Sequence, residues 1–503
     1  MPYPPPPAQP LVYELNTRSW LRALSARAGR GITLATVPES ELARWQQSGF
    51  SHVWLMGVWP TAPHSLAFSR TPANRKLWRK VLPDLDTEDI SGSPYAIAGY
   101  SAPPHLGGEA GLARFRERLA ARGLKLLLDF IPNHTGLDHP WVAARPDLFV
   151  HSLEKRPGAF LAGTVAGPRW IAHGRDPYFP PWTDTAQLDY RQPAVHAAML
   201  GELQAVAGRC DGVRCDMAML VLPEIFARTW AGFPAEGRAP PFWATAIANV
   251  KKKYPEFLFL AEAYWDLEPR LLELGFDFAY DKRLLEVLLA RNPPEAQRHL
   301  LRRPPRFVER TAHFLENHDE PRIAARLDLA EHRAAALVAL GLPGLRLLYE
   351  GQLEGARWRA NIHLNRRPAE APQPEIVAFY ERLLHALSTT AVGRGRGELL
   401  EPRPAWAGNP THLDFVLVQW QAELMNFALV AVNLAPHRSQ CYAPLTLPGL
   451  ASRTWRLSDA LGVEAFTRPG PELAEKGLYL EVPAHAARLF HFESSAVPPS
   501  CGG

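Results

Sequence analysis

A chain of 503 residues is long enough to bury a large core and to form two to four domains. Its 47% hydrophobic and 21% charged residues exclude a disordered polyelectrolyte, and a formal charge of only +4 with scattered Arg excludes a nucleic-acid partner. No stretch approaches the ~18 uninterrupted apolar residues of a membrane span, so no membrane partner is expected.

In chain order, Met1-Pro2-Tyr3-Pro4-Pro5-Pro6-Pro7 has neither the basic nor the apolar region of a signal peptide, and residues 1–10 read as a disordered Pro-rich leader. Strand signals at Val12–Thr17 and Val53–Met56 flank a helix at Glu39–Ser48. A helix at Gly111–Arg122 then precedes the third strand, Lys125–Ile131. Helices at Ala194–Ala207 and Trp243–Lys253 precede the fourth and fifth strands, Gly212–Cys215 and Leu258–Ala261. Phe276–Ala279 is a weak sixth strand, Ala312–Leu315 a seventh and Leu345–Tyr349 an eighth. Eight such units predict an α/β fold, a (β/α)8 TIM barrel over 11–134 and 194–392. Residues 135–193 break the alternation and read as an inserted subdomain after strand three. After a helix at Glu375–Leu387, Gly393–Gly397 looks like a linker. Alternating runs over 393–495 predict a C-terminal antiparallel β-sandwich, and 496–503 a disordered tail.

The four cysteines, Cys210, Cys215, Cys441 and Cys501, form no CxxC pair and no compact framework. With no signal peptide, they point to reduced thiols in the cytoplasm.

Four apolar runs end in acids and imidazoles: Leu126 to His134, Asp211 to Asp216, Phe259 to Glu262, and Phe314 to Asp319. Barrel enzymes assemble their sites at the C-terminal ends of strands. Three carboxylates delivered there suit acid, base and nucleophile work on a glycosidic bond. An isolated Arg-x-Asp is usually an ordinary ion pair, and a lone His at a strand end is usually structural. Four such segments in order outweigh those readings. Fifteen Trp also lean toward a carbohydrate ligand.

These segments resemble, in order, the four sequence regions of the α-amylase superfamily (glycoside hydrolase family 13), and the similarity runs from about Val12 to Gly351. The resemblance implies Asp216 as nucleophile, Glu262 as general acid/base and Asp319 as the carboxylate that favours the transition state. It implies sugar-binding roles for His134, His318 and Tyr95, the last as an aromatic platform. Arg214, two residues before Asp216, points to the same side and is expected to keep it ionised. Asp129, Asn133 and Asn317 are expected to support these groups rather than touch substrate. In many relatives the position of Asn133 binds a structural calcium, but no other ligands for one can be read from the insert. No cofactor or metal is therefore expected.

The chain departs from ordinary amylases after the nucleophile, where Met217-Ala218-Met219-Leu220 replaces a Lys-His pair. This implies an apolar acceptor side, lined by Met217 and by Trp265. The expected function is a retaining α-glycoside hydrolase acting on an α-glucan, oligosaccharide or small glucoside. The alternatives are an α-glucanotransferase using the same site and a non-catalytic glucan-binding protein.

Overall fold

The computed structural model describes residues 9–234, 241–422 and 426–495. Most of the expected leader (1–8), the expected tail (496–503) and Cys501 lie outside the described residues. Eight parallel strands close into a barrel: β1 (Leu11–Asn16), β2 (His52–Met56), β3 (Lys125–Phe130), β4 (Gly212–Cys215), β5 (Leu258–Ala261), β6 (Phe278–Tyr280), β7 (Thr311–His313) and β8 (Leu345–Tyr349). Strands covered by side chains inside and helices outside have no wet face, which is why they read as unbroken apolar runs. All except Lys125 at the start of β3 are buried along their length.

The pairing register sets the site. Arg214 lies beside Asp129 of β3 and beside Leu260 of β5, and Glu14 of β1 lies beside Trp54 of β2 and Tyr349 of β8. Two boundaries differ from the sequence reading. β7 ends at His313 rather than Leu315, because Phe314 and Leu315 are buried as loop residues. β6 likewise begins two residues later than expected.

The segment after β3 holds two small sheets. His134–Gly136 pairs with Thr185–Gln187, and Arg169–Ala172 lies between His151–Ser152 and Ala159–Ala162. The loop after β2 carries two short helices, Pro63–Ser69 and Pro72–Trp78, before it returns to Tyr95.

Beyond the helix Pro374–Thr389 a six-stranded antiparallel sheet faces a three-stranded one. Strand Phe415–Gln421 shows why its sequence begins with an unbroken apolar run, Phe415–Val418. Val416, Val418 and Trp420 pack with the barrel core, whereas Phe415 and Leu417 pack into the separate C-terminal core. The Trp420 indole N–H donates to Gly341 O at 2.9 Å, tying the sheet to a barrel helix. The expected linker is partly strand: Arg396–Leu400 pairs with Leu417–Gln421. A Cβ on Gly397 would come within 2.8 Å of the Trp420 ring, so glycine serves close approach there rather than flexibility. Among the described residues no helix is long and apolar enough to cross a membrane.

Candidate active site

The strand-end carboxylates converge on one guanidinium. Arg214 is fully buried; its Nη1 lies 2.7 Å from Asp216 Oδ1 and its Nη2 2.7 Å from Glu262 Oε2. The barrel ladder continues past the strands to hold both acids: Asp216 N donates to Phe130 O, and Glu262 N to Cys215 O. Glu262 accepts two further bonds, from Met217 N at 2.7 Å and from the Tyr264 hydroxyl at 2.8 Å. Trp54, Tyr95 and Tyr280 surround the cation at 5.2–5.9 Å from their ring centroids.

Arg214 favours the ionised form of Asp216 through its charge and its hydrogen bond, in the sense expected, and works against burial. Burial pushes the Asp216 carboxyl up to about 7; Arg214 opposes this shift, but its guanidinium is shared with Glu262, whose charge adds to it.

Asp319 lies across from this pair and is the most open of the three acids: its side chain is 35% exposed, against 7% for Asp216 and 4% for Glu262. Asn317 turns the segment, its Oδ1 accepting from Asp319 N and Glu320 N. Asp319 Oδ2 meets His318 Nε2 at 2.8 Å, and the Tyr95 hydroxyl lies 2.6 Å from the same nitrogen. Tyr95 is stacked on the His318 ring and is itself largely buried. His318 Nδ1 is held by Glu14. Both ring nitrogens of His318 are thus engaged within the protein. Arg359, from the loop after β8, adds a positive field that favours the Asp319 charge.

Asp129 stands 4.0 Å from Arg214, whose charge favours its ionised form, and it also accepts from Gly57 N at 2.9 Å and the Trp54 indole at 3.2 Å. The loops so anchored are also clamped by Arg18, which donates to the carbonyls of Gly57, Trp59, Ser91 and Gly92 and to the Thr61 hydroxyl.

His134 is buried beside Trp182, and burial lowers its pKa to about 4, leaving a neutral ring at neutral pH. Asn133 pairs face to face with the amide of Gln187, donating to its Oε1 at 3.1 Å and accepting from its Nε2 at 3.0 Å. The same Nε2 lies 2.8 Å from Asn133 O and 3.0 Å from Leu188 O. Oxygens that would face a calcium here face an N–H donor instead, so this position does not fit a cation.

On the acceptor side the apolar run splits. Ala218, Met219 and Leu220 fold back into the core, with Ala218 O accepting from the Trp243 indole, and form no wall. Met217 alone stays half-buried, in the left-handed region at φ 41°. Trp265, also left-handed at φ 64°, packs edge-on against Tyr178 of the insert with ring centroids 4.9 Å apart. Arg228 covers the Tyr178 ring and donates to its hydroxyl at 3.1 Å, and neighbouring Phe179 is 67% exposed. Glu14, Tyr178, Trp182, Tyr264 and Gln187 escaped the sequence reading. For Tyr264 the signal was its place two residues after Glu262.

No family model matches the chain. It is 28% identical over 267 residues to the α-amylase MalA of Haloarcula japonica, covering 50% of this chain and 35% of that enzyme. It is 26% identical over 381 residues to the α-1,4-glucan:maltose-1-phosphate maltosyltransferase of Pseudomonas aeruginosa, covering 69% and 50%. The chain therefore spans about a third to a half of the length of these curated relatives. In fold it is similar to an α-amylase from Lactobacillus plantarum, with a TM-score of 0.67 over 96% of this chain and 98% of that one at 19% identity. In sequence the chain is thus similar to curated α-glucan-acting enzymes, and in fold to α-amylases.

Proposed function

We propose that the protein is a retaining α-glycoside hydrolase that cleaves α-glucosidic bonds in glucans or oligosaccharides. The observation that carries this reading is the pair Asp216 and Glu262 on the two terminal nitrogens of Arg214 at the open end of the barrel. A shared guanidinium keeps two carboxylates close neighbours, as a covalent route needs; retaining pairs stand roughly 5–5.5 Å apart, whereas inverting pairs leave room for a water. Asp216 attacks the anomeric carbon as the glycosidic C–O bond breaks, and Glu262 gives a proton to the departing oxygen. Water then attacks the glycosyl-enzyme while Glu262 takes its proton back. Asp319 is the carboxylate that holds sugar hydroxyls and favours the positive transition state, and Tyr95 and His134 line the same ring. The three buried free thiols, Cys210, Cys215 and Cys441, support a cytoplasmic location.

Transfer to a sugar acceptor is the second reading, favoured by the aromatic shelf that Trp265, three residues after Glu262, forms with Tyr178. Such a shelf binds a sugar face and displaces water from the glycosyl-enzyme. The test is to resolve products from maltooligosaccharides over time. Shorter sugars alone support hydrolysis, chains longer than the donor support transfer, and an unchanged substrate pool contradicts both.

A further inference from the structure

Glu14 takes no part in the chemistry above, yet it sits at the centre of the barrel, wholly shielded from solvent. Its Oε1 lies 2.5 Å from His318 Nδ1, and its Oε2 has no hydrogen-bond partner. On the far side of the ring, His318 Nε2 faces Asp319 Oδ2 at 2.8 Å and the Tyr95 hydroxyl at 2.6 Å. Ionised carboxylates only accept hydrogen bonds, so a ring held between two of them carries hydrogen on both nitrogens; burial raises the Glu14 pKa, and the His318 and Arg214 charges oppose that shift. A proton moved to Glu14 would face one imidazole, whereas on the ring it faces two carboxylates, so the ring keeps it. Tyr95 stacked at 5.4 Å and Trp54 edge-on at 5.6 Å prevent the ring from turning away.

We propose that Glu14 is a positioning residue that locks His318 as the imidazolium and, through that cation, fixes Asp319 as an ionised carboxylate aimed at the sugar. The proposal rests on the reading of Asp319 as the substrate-binding carboxylate. The groups that face His318 come from several elements: Glu14 from β1, Asp319 beside it, Tyr95 from the loop after β2 and Asp129 from β3. Arg214 of β4 and Arg359 stand behind these acids and act on them in turn. Burial alone would strip the ring of its proton, but Asp319 and Glu14 outweigh it and raise the His318 pKa to about 10.

The test compares kcat/KM between pH 5 and 10 for the native protein, Glu14→Gln and Glu14→Asp. Glutamine keeps the shape and an acceptor oxygen but removes the charge; aspartate keeps the charge. Loss of an adjacent opposite charge moves a pKa by roughly one to three units. The alkaline limb of Glu14→Gln should therefore fall about one to three pH units earlier. That shift corresponds to a loss of about twofold (one unit) to ninetyfold (three units) at pH 9 with little change at pH 6, while Glu14→Asp keeps the native limb. A native-like profile in Glu14→Gln with an impaired Glu14→Asp would overturn the proposal, since shape alone would then matter. Melting temperatures over the same pH range give a readout that needs no activity. The stabilisation from the His318 proton is complete below its ordinary pKa of about 6.5 and is lost as pH rises through about 10 in the native protein. It should be lost at lower pH in Glu14→Gln, and coincident melting profiles would overturn the proposal. Should the chain cleave no α-glucoside, the functional reading fails and the melting profiles still decide the role of Glu14.

Discussion

Arg214→Met removes the one cation on which the buried acids converge. The structure sets the size of the effect: Asp216 and Glu262 each lose a 2.7 Å contact, and Asp129 loses its nearest positive charge at 4.0 Å. Breaking a buried pair from one side costs roughly 3–5 kcal/mol, because a charge is left without compensation. The cost should depend on pH. Asp216 has a raised pKa near 7, so the stability tied to its proton is present below the ordinary value of about 3.9 and lost as pH rises through 7. With Arg214 gone its pKa rises further, and the two proteins diverge mainly above pH 7, by about 1.4 kcal/mol per pH unit. Urea unfolding at pH 5 and pH 8 measures this directly. The expected result is a loss of about 3–5 kcal/mol at pH 8 that is smaller by about 1.4 kcal/mol at pH 5. Arg214→Lys should recover part of it, since one ammonium cannot serve both carboxylates. An equal loss at both pH values, or none at pH 8, would refute the reasoning.

Further expectations follow from the same geometry. Asp216→Asn should abolish turnover yet leave the protein at least as stable as the native chain at pH 8, because the substitution removes a buried charge that burial disfavours; a lower melting temperature contradicts this. The acid limb of kcat/KM should fall as pH drops through about 7 and Asp216 takes up its proton, and a limb below pH 5 would assign the nucleophile elsewhere. Trp265→Ala and Tyr178→Ala should each raise the ratio of free glucose to elongated products, by about fivefold for ~1 kcal/mol of lost contact; an unchanged ratio would make the shelf mere packing.

The sequence made the barrel and its acids legible for one reason. A buried parallel strand writes itself as an apolar run, and in β3, β4 and β5 the run stops where the polar site begins. The rest depended on contacts between distant segments. Glu14 reads as one polar residue within a strand, and its partner His318 is 304 positions away. The reciprocal amide pair of Asn133 and Gln187 bridges 54 positions, so an asparagine suited to a metal gave no sign that an amide already faced it. Met219 and Leu220 looked like an acceptor wall because composition does not reveal which way a chain turns after a left-handed residue such as Met217. Gly393–Gly397 looked like a linker because glycine for flexibility and glycine for a neighbouring Trp420 ring are spelled alike.

The central claim is a covalent glycosyl-enzyme on Asp216 formed with the help of Glu262. The most direct measurement supplies Glu262→Gln with an α-glycosyl fluoride, whose leaving group needs no proton, and weighs the protein and its peptides by mass spectrometry. The account predicts one added glycosyl unit on the peptide that contains Asp216, formed quickly and hydrolysed slowly. An unmodified protein that still turns the fluoride over, or an adduct on another carboxylate, would contradict it.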